Sequence, residues 1–315
     1  MERGLVSVVL VTWNSARYLR RCLEGIGRQT HPNVELIAVD NASADDSVAL
    51  VAPAAQRVIL NDTNRGFSAA VNQAIAVARG EFLLVVNPDC FLLPEYAERL
   101  VEALSSAPDL GSATGLLIRA RGFDIEPTEE IDSAGIRMTR NGRHLDINVR
   151  PASRTEVFGV SGAAAMFRLA FLRDVALDGE ALDEDFFAYR EDADLAWRGR
   201  LYGWRAVCEP AAVAYHVRRV TPEARRELPP EVNMHSVKNR FLLRLKNQGA
   251  YLALRNLPFE LARDLVVLAA ALTVERTSLP AFAWLWRNRA RVLAKRRQIQ
   301  RRRKLTDRQL TRWFA

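Results

Sequence analysis

The chain has 315 residues, 49% hydrophobic and 26% charged, enough to bury a packed core and too apolar for global disorder. Three widely spaced cysteines (Cys22, Cys90, Cys208) with no CxxC exclude a disulfide framework and a cysteine metal cage, and point to a reducing, cytoplasmic setting. The formal charge of +8 is unevenly spread: residues 287–315 hold 12 Lys/Arg against one Asp, a net of +11, which leaves −3 for the other 286 residues. A mildly acidic body with a strongly basic tail suits an anionic membrane surface, nucleic acid, or plain solvation of the tail.

The opening MERGLVSVVLVTWN lacks a small-residue cleavage site, so its apolar run is expected to be a first strand rather than a signal peptide. A helix follows, capped by Asn14 or Ser15, with Leu19, Cys22, Leu23 and Ile26 on one face. Strands are expected at 34–40 and 57–60. A helix over 66–80 carries Phe67, Val71, Ala74, Ile75 and Ala78 on one face and is closed by Gly80. The run FLLVVN is a fourth strand, and 93–108 a helix with Pro94 near its start. Unbroken apolar strands between amphipathic helices imply a parallel sheet covered on both faces.

From about 111 to 225 the pattern is mixed. GLLIRA, VFGVSGAAAMFR and AVCEPAAVAYH read as strands and EDADLAWRGRLYGW begins a helix. After the break TPEARRELPPE, residues 231–315 read as helices rich in Leu, Arg and Trp. The division expected is a body over 1–225 and a helical, basic region over 226–315. Two uncharged runs, LVVLAAALTV (265–274) and TSLPAFAWLW (277–286), have ten residues each, whereas a membrane-spanning helix needs about 20. They suit helices packing against the body or, as expected here, a helix pair on a membrane surface with Trp284, Trp286 and the Arg/Lys tail at the headgroups.

Polar residues recur where the strands end. Thr12 closes the first strand and Asp40 the second, each beside the crevice where parallel α/β sheets bind ligands; alone, each also suits a simple turn. Asn64-Arg65-Gly66 precedes a helix N-terminus, a natural place for phosphate or for a capped loop. Asn87-Pro88-Asp89 ends the fourth strand, and Asp89 offers oxygen to Mg²⁺ or Mn²⁺. His216 ends another strand as a second candidate ligand. Downstream, residues 183–194 hold six carboxylates. Helix capping accounts for one or two. It does not account for acids beside aromatics, as in FFAYRED, where proton affinity rises and a general base becomes available.

In order and spacing, VLVTWNSARYLRRCL, VDNASADDS, NRGFSAAVNQAI, VVNPDCF, GVSGAAAMFR and FFAYREDADLAWRGRLYGW resemble the family 2 glycosyltransferases of the GT-A fold, and within them bacterial rhamnosyltransferases of cell-wall or surface polysaccharide. The resemblance covers about residues 5–220. It implies a Rossmann-like, mostly parallel α/β sheet with a C-terminal helical extension. It also implies a nucleotide-sugar site of Thr12, Asn14, Asp40, Asn41, Arg65, Gly66, Asn72, Asn87 and Asp89, with Gly162 and Trp197 on the acceptor side. Asp192 is the implied base, with Glu191 the alternative, and Asp89 and His216 the implied metal ligands. Asn87 departs from the family pattern by replacing the first aspartate of its metal motif.

The implied reaction is inverting transfer of a sugar, L-rhamnose from dTDP-rhamnose in the first instance, onto a hydroxyl of a lipid-linked or polysaccharide acceptor. A UDP-linked donor of galactofuranose or glucose is the alternative within the same fold. The partners expected are the dTDP- or UDP-linked donor, a polyprenyl-linked acceptor and an anionic membrane surface at the inner face of the plasma membrane. Binding of nucleic acid by the tail is the rival from another class, but no nucleic-acid motif accompanies it.

Overall fold

Period-two alternation along apolar strands decides which layer each side chain joins. The computed structural model, which describes residues 1–122, 125–218 and 230–314, opens with this pattern. Strand β1 (Glu2–Thr12), helix α1 (Ala16–Gly27), β2 (Val34–Asp40), the short α2 (Ser47–Val51), β3 (Arg57–Leu60), α3 (Phe67–Val77) and β4 (Gly80–Val86) follow one another. The strands β4-β1-β2-β3 lie side by side and parallel. Val8, Leu10, Leu36, Ala38, Leu84 and Val86 face one side with α1. Val9, Val11, Ile37, Val39, Leu83 and Val85 face the other with α3.

The second half completes the sheet. Strand β5 (Cys90–Leu92), α4 (Tyr96–Ser105), β6 (Leu110–Arg121), β7 (Glu126–Ser133), β8 (Ile136–Met138), β9 (His144–Asp146), β10 (Thr155–Val157), β11 (Ala164–Arg168), α5 (Leu169–Val175), α6 (Glu191–Leu201) and β12 (Arg205–His216) come in that order. The sheet runs β10-β12-β6-β11-β4-β1-β2-β3, with β5 added to β12 and β7 to β6. Strand β11 is antiparallel to both neighbours, so the sheet is mixed beyond β4.

Helices α7 (Pro230–Asn247), α8 (Ala250–Thr273), α9 (Pro280–Arg287), α10 (Arg289–Arg302) and α11 (Asp307–Leu310) close the chain. Leu242 and Leu243 of α7, and Val292 and Ile299 of α10, belong to the same core cluster as Val9 and Val11. The helical region therefore packs on one face of the sheet, and the core has no seam between it and the body.

Three local expectations are corrected. VFGVSGAAAMFR is not one strand: residues 159–163 turn between β10 and β11, which pair with different partners. Gly80 does not close α3. It starts β4, where a Cβ would stand 2.6 Å from the Leu5 carbonyl oxygen, so glycine is there for close strand approach. Ser15 stands at the N-cap position of α1, but neither its side chain nor that of Asn14 bonds the helix N-terminus. Asp45 accepts from the Ala16 N–H at 3.0 Å, while Asn14 accepts from Ala44 and Ser15 bonds back to Trp13. Most of the break 221–231 lies outside the described residues.

Candidate active site

The parallel register brings the ends of β1 and β2 together, with Thr12 opposite Asp40. Thr12 is fully buried and its hydroxyl donates to Asp40 Oδ1 at 2.6 Å. The Ser43 hydroxyl donates to the same oxygen at 2.6 Å, and the Ser43 N–H to Oδ2 at 2.8 Å. Asp40, only 2% exposed, thus organises the turn after β2, in which Ala42 takes φ 60°. Asn14, itself at φ 48°, accepts from Ala44 N–H at 2.8 Å and laces the β1 loop to that turn.

Asn41 carries the lacing one strand further. Its Nδ2 donates to the Gly66 carbonyl at 3.2 Å and its Oδ1 accepts from Asn61 at 2.9 Å. Gly66 has φ 85°, and a Cβ there would lie 2.5 Å from the Phe187 ring, so only glycine suits both demands. Arg65 is exposed at the entrance to α3 and forms no ion pair with any described residue. Asn72 points elsewhere: its amide donates to the Leu182 carbonyl at 2.7 Å and accepts from the Leu182 N–H at 3.0 Å. It is committed to docking the segment ahead of the acid cluster.

Asn87-Pro88-Asp89 forms the turn between β4 and β5, closed by Cys90 N–H donating to the Asn87 carbonyl at 3.0 Å. Asp89 Oδ1 lies 3.6 Å from His216 Nε2. The other ring nitrogen, Nδ1, is 2.8 Å from Asp132 Oδ2. Asp132 is fully buried and also pairs with Arg218 at 3.0 Å and Arg119 at 3.3 Å. Burial alone would lower the His216 pKa, yet the two carboxylates lift it to about 9. Burial alone would raise Asp132, and the bond from His216 and the charges of His216, Arg218 and Arg119 hold it below the usual range. Nothing in the sequence singled out Asp132, one acid among several in the polar stretch of β7.

No group of three or more His, Cys, Asp or Glu stands ready for a metal among the described residues. Asp89 and His216 fit a divalent cation as a carboxylate–imidazole pair whose imidazole is oriented from behind by Asp132. Two protein donors leave the remaining positions to water or phosphate oxygens.

The six downstream acids separate into two kinds. Asp183 is buried against Lys246 and against Lys295 at 2.5 Å. Asp194 pairs with Arg198 at 2.8 Å and Lys246 at 3.0 Å. Asp185 meets Arg291 at 2.5 Å and Lys295 at 3.1 Å. Glu184 accepts from Asn72 at 3.2 Å. Glu191 and Asp192, the first two residues of α6, bond no side chain among the described residues. Glu191 is buried with Oε2 unbonded, and burial, then the neighbouring Asp192 charge, pushes it to about 8. Burial also raises Asp192, opposed by N–H bonds from Ala193 at 2.7 Å and Gly162 at 3.3 Å.

The antiparallel pairing of β11 with β4 joins this acid pair to the turn at Asp89. Asn87 N–H donates to the Ala163 carbonyl at 2.8 Å, while Gly162 N–H, one residue earlier, faces Asp192. A methyl group at Gly162 would lie 3.7 Å from Asp192 Cβ and 3.8 Å from Glu191 Oε1, so this glycine lines the approach to both acids. Trp197 does not. It is 1% exposed, packed at 5.0 Å on Phe314 and edge-on at 6.3 Å to Phe158, and cannot face an acceptor. The lysines under the acid cluster, Lys246 and Lys295, were read only as part of a basic helical tail.

Among known proteins, the model of the family "Glycosyl transferase family 2" matches residues 7–175, more than half of the chain. EpsH of Bacillus subtilis is 27% identical over 203 residues, which take in 60% of this chain and only 56% of EpsH, so the chain spans about half that relative's length. The N-acetylglucosaminyl-diphospho-decaprenol L-rhamnosyltransferase of Mycobacterium tuberculosis is 27% identical over 241 residues, covering 67% of this chain and 76% of that protein. In three dimensions, the mannosyltransferase PcManGT of Pyrobaculum calidifontis, solved with GDP-Man and Mn²⁺, superposes with a TM-score of 0.57 at 21% identity, over 95% of this chain and 85% of that one. That likeness establishes the fold, a GT-A nucleotide-sugar transferase architecture, through the helical region as well as the sheet.

Proposed function

Because the chain belongs to glycosyl transferase family 2, we propose that it transfers L-rhamnose from dTDP-rhamnose, with inversion, to a hydroxyl of a polyprenyl-linked glycan in cell-wall or surface-polysaccharide synthesis. The observation that carries this reading is the meeting of two corners. Asp89 with His216 and Glu191 with Asp192 are joined through adjacent peptide units at 162–163. One corner suits a diphosphate and the other a proton acceptor. The choice of rhamnose and of a lipid-linked acceptor is supported by the mycobacterial relative.

In this reading the nucleoside lies over the laced loops of Asn14, Asp40 and Asn41, with Thr12 holding the Asp40 carboxylate from beneath. Arg65 and the N-terminus of α3 at Gly66 face the diphosphate. Asn87 and Asp89 stand at its far end. Asp89 and His216 would hold Mg²⁺ or Mn²⁺, the imidazole giving up its Nε2 proton, and the ion would supply charge neutralisation for the departing nucleoside diphosphate. Of the acid pair, Glu191 is assigned the proton, pushed up to about 8 by burial and the Asp192 charge. Asp192 is then the ionised member and takes the proton of the attacking hydroxyl, while Gly162 leaves room for the acceptor. Inversion needs one in-line displacement and no enzyme nucleophile.

Residues 230–314 are the membrane-facing part. Leu254, Leu257, Leu261, Leu265, Leu268 and Leu272 recur at three- and four-residue steps along α8, and all are exposed, Leu254 to 75%. Cations flank that stripe: Arg308 lies 5.3 Å over the Tyr251 ring and Arg140 3.9 Å over Phe259. Trp286 is 69% exposed, as a headgroup anchor requires. Trp284 departs from that expectation, being packed against the core with Lys238 at 4.7 Å over its ring. No helix among the described residues is long and apolar enough to cross a membrane. The reading is therefore a peripheral enzyme lying on the anionic inner face of the plasma membrane. Polyanion binding by the tail alone leaves the apolar stripe without a purpose.

A donor panel tests the proposal: dTDP-rhamnose, UDP-galactofuranose, UDP-galactose and UDP-glucose, with Mn²⁺, read by nucleoside-diphosphate release on a polyprenyl-linked acceptor. Release that depends on acceptor with dTDP-rhamnose supports it. Release with a UDP sugar in place of dTDP-rhamnose replaces the donor, and full activity in EDTA removes the metal.

A further inference from the structure

The backbone just ahead of the acid pair is held in a disfavoured form. Phe187, Tyr189 and Arg190 have φ of 65°, 69° and 72°, and none is glycine. Non-glycine residues persist in this region only when the surroundings hold them there. Arg190 immediately precedes Glu191, so this loop sets where α6 begins and where its first two carboxylates point.

The restraint comes from α7. Asn239 is fully buried, and its Nδ2 lies 2.9 Å from the Phe186 carbonyl, 2.8 Å from Ala188 and 2.8 Å from Tyr189. Two N–H groups thus serve three acceptors. The opposite amide orientation would put Oδ1 against three carbonyls, so the donor end must face the loop. Oδ1 itself has no partner among the described residues, so the side chain is held by its donors. The same helix adds a bond from Lys238 Nζ to the Asp185 carbonyl and stacks the His235 ring on Phe187 at 4.7 Å. From the other side, Ser68 N–H donates to the Phe187 carbonyl at 3.1 Å.

We propose that Asn239 is a positioning residue of the transferase, clamping the strained turn 186–190 so that the Glu191–Asp192 pair meets the acceptor. The inference rests on the reading of that pair as the proton acceptor. It places a determinant of turnover in the helical region, beyond the residues 7–175 that the family model matches.

The test uses the full chain with Asn239→Ala and Asn239→Ser, the latter keeping one hydroxyl donor. Three quantities are read: backbone amide exchange across 186–193, donor affinity by equilibrium binding, and turnover at saturating donor. Misplacing a catalytic group by about 1 Å costs on the order of 10²-fold in rate, and a loss of that size is expected for Asn239→Ala. Exchange should rise in 186–190 while donor affinity stays as in the wild type. Asn239→Ser should fall between the two, and if Asn239→Ala does not fold, Asn239→Ser carries the same three readings. Unchanged exchange at 186–190, wild-type turnover with a loosened loop, or donor affinity falling in step with turnover would each overturn the clamp. Asp192→Asn separates the two readings. If it retains turnover while Asn239→Ala loses it, the base assignment fails and the clamp stands. If it is inactive while Asn239→Ala turns over normally, the clamp fails and the base stands.

Discussion

The parallel half of the sheet and the helical region past residue 230 handle charge in opposite ways. Around β1, β2 and β4 the interior is mostly aliphatic, one buried carboxylate (Glu35) is held by Ser7 and Arg79, and the other polar groups sit at strand ends, bonded to one another in loops. Around α7, α8 and α10 the interior holds Lys238, Lys246, Lys295, Arg240 and Arg244, while six leucines of α8 face outward. The buried cations answer Asp183, Asp194, Glu260 and Asp264. A buried ion pair adds little net stability over apolar packing, but removing one member is costly. The first half is thus built to present loops to a ligand. The second is built to hold an acidic segment in place and to offer apolar surface to something outside.

The base assignment is where this contrast breaks most visibly. Asp192→Asn is expected to lower transfer by about 10²- to 10⁴-fold, the usual contribution of a positioned general base, with donor binding intact. Near-normal turnover in a steady-state assay would move the role to Glu191. Next in size is Lys246→Met, which removes the buried cation shared by Asp183 and Asp194 and leaves each with a single cation, Lys295 and Arg198. Urea unfolding should show a loss of about 3–5 kcal/mol in one cooperative transition. A separate early transition of the helical region, with the sheet untouched, would mean that the two halves are not one core.

Leu265→Glu should weaken partition to anionic vesicles by about 1.5–3 kcal/mol, the burial free energy of one such side chain, without changing turnover on a water-soluble acceptor. Unaltered vesicle sedimentation would remove α8 from the membrane contact. The smallest effect is a slope. Glu191 titrates near 8 in the fold against an ordinary 4.5, so between those values the folded chain binds more protons than the unfolded one. Stability contributed by this group is present below pH 4.5 and is lost as pH rises through 8. Glu191→Gln should flatten that decline in melting temperature, and an unchanged pH profile would contradict the buried, partnerless carboxyl.

Much of the crevice was legible because a parallel strand announces both its core and its end. Apolar runs such as SVVLVT and FLLVVN mark the sheet, and the polar residue after each run falls at the crevice by construction. Hence Thr12, Asp40, Gly66 and Asp89 could be picked out in advance, and the acid cluster drew notice by density. What failed was discrimination within those sets. Trp197 sits in the same short motif as Asp192 but on the inward side of α6, and Asn72 lies six residues into α3, beyond the loop with which it shares a motif. Asp132, Asn239 and Lys246 carried no local signal, since each acquires its meaning from a residue 50 or more positions away.

By itself, the sequence determined the alternation of strands and helices through β4, the polar strand ends and the basic tail. These follow from local periodicity and composition, which need no partner to be read. Only the tertiary structure decided which acids are neutralised and which are left alone. Six carboxylates within twelve residues are chemically alike along the chain. Two lysines and two arginines arriving from α7, α10 and α6 pair three of them, an asparagine on α3 bonds a fourth, and Glu191, buried, and Asp192, half-buried, have no cation bonded to them among the described residues. Proton affinity is set by what surrounds a carboxyl, and those surroundings are assembled only when distant segments pack.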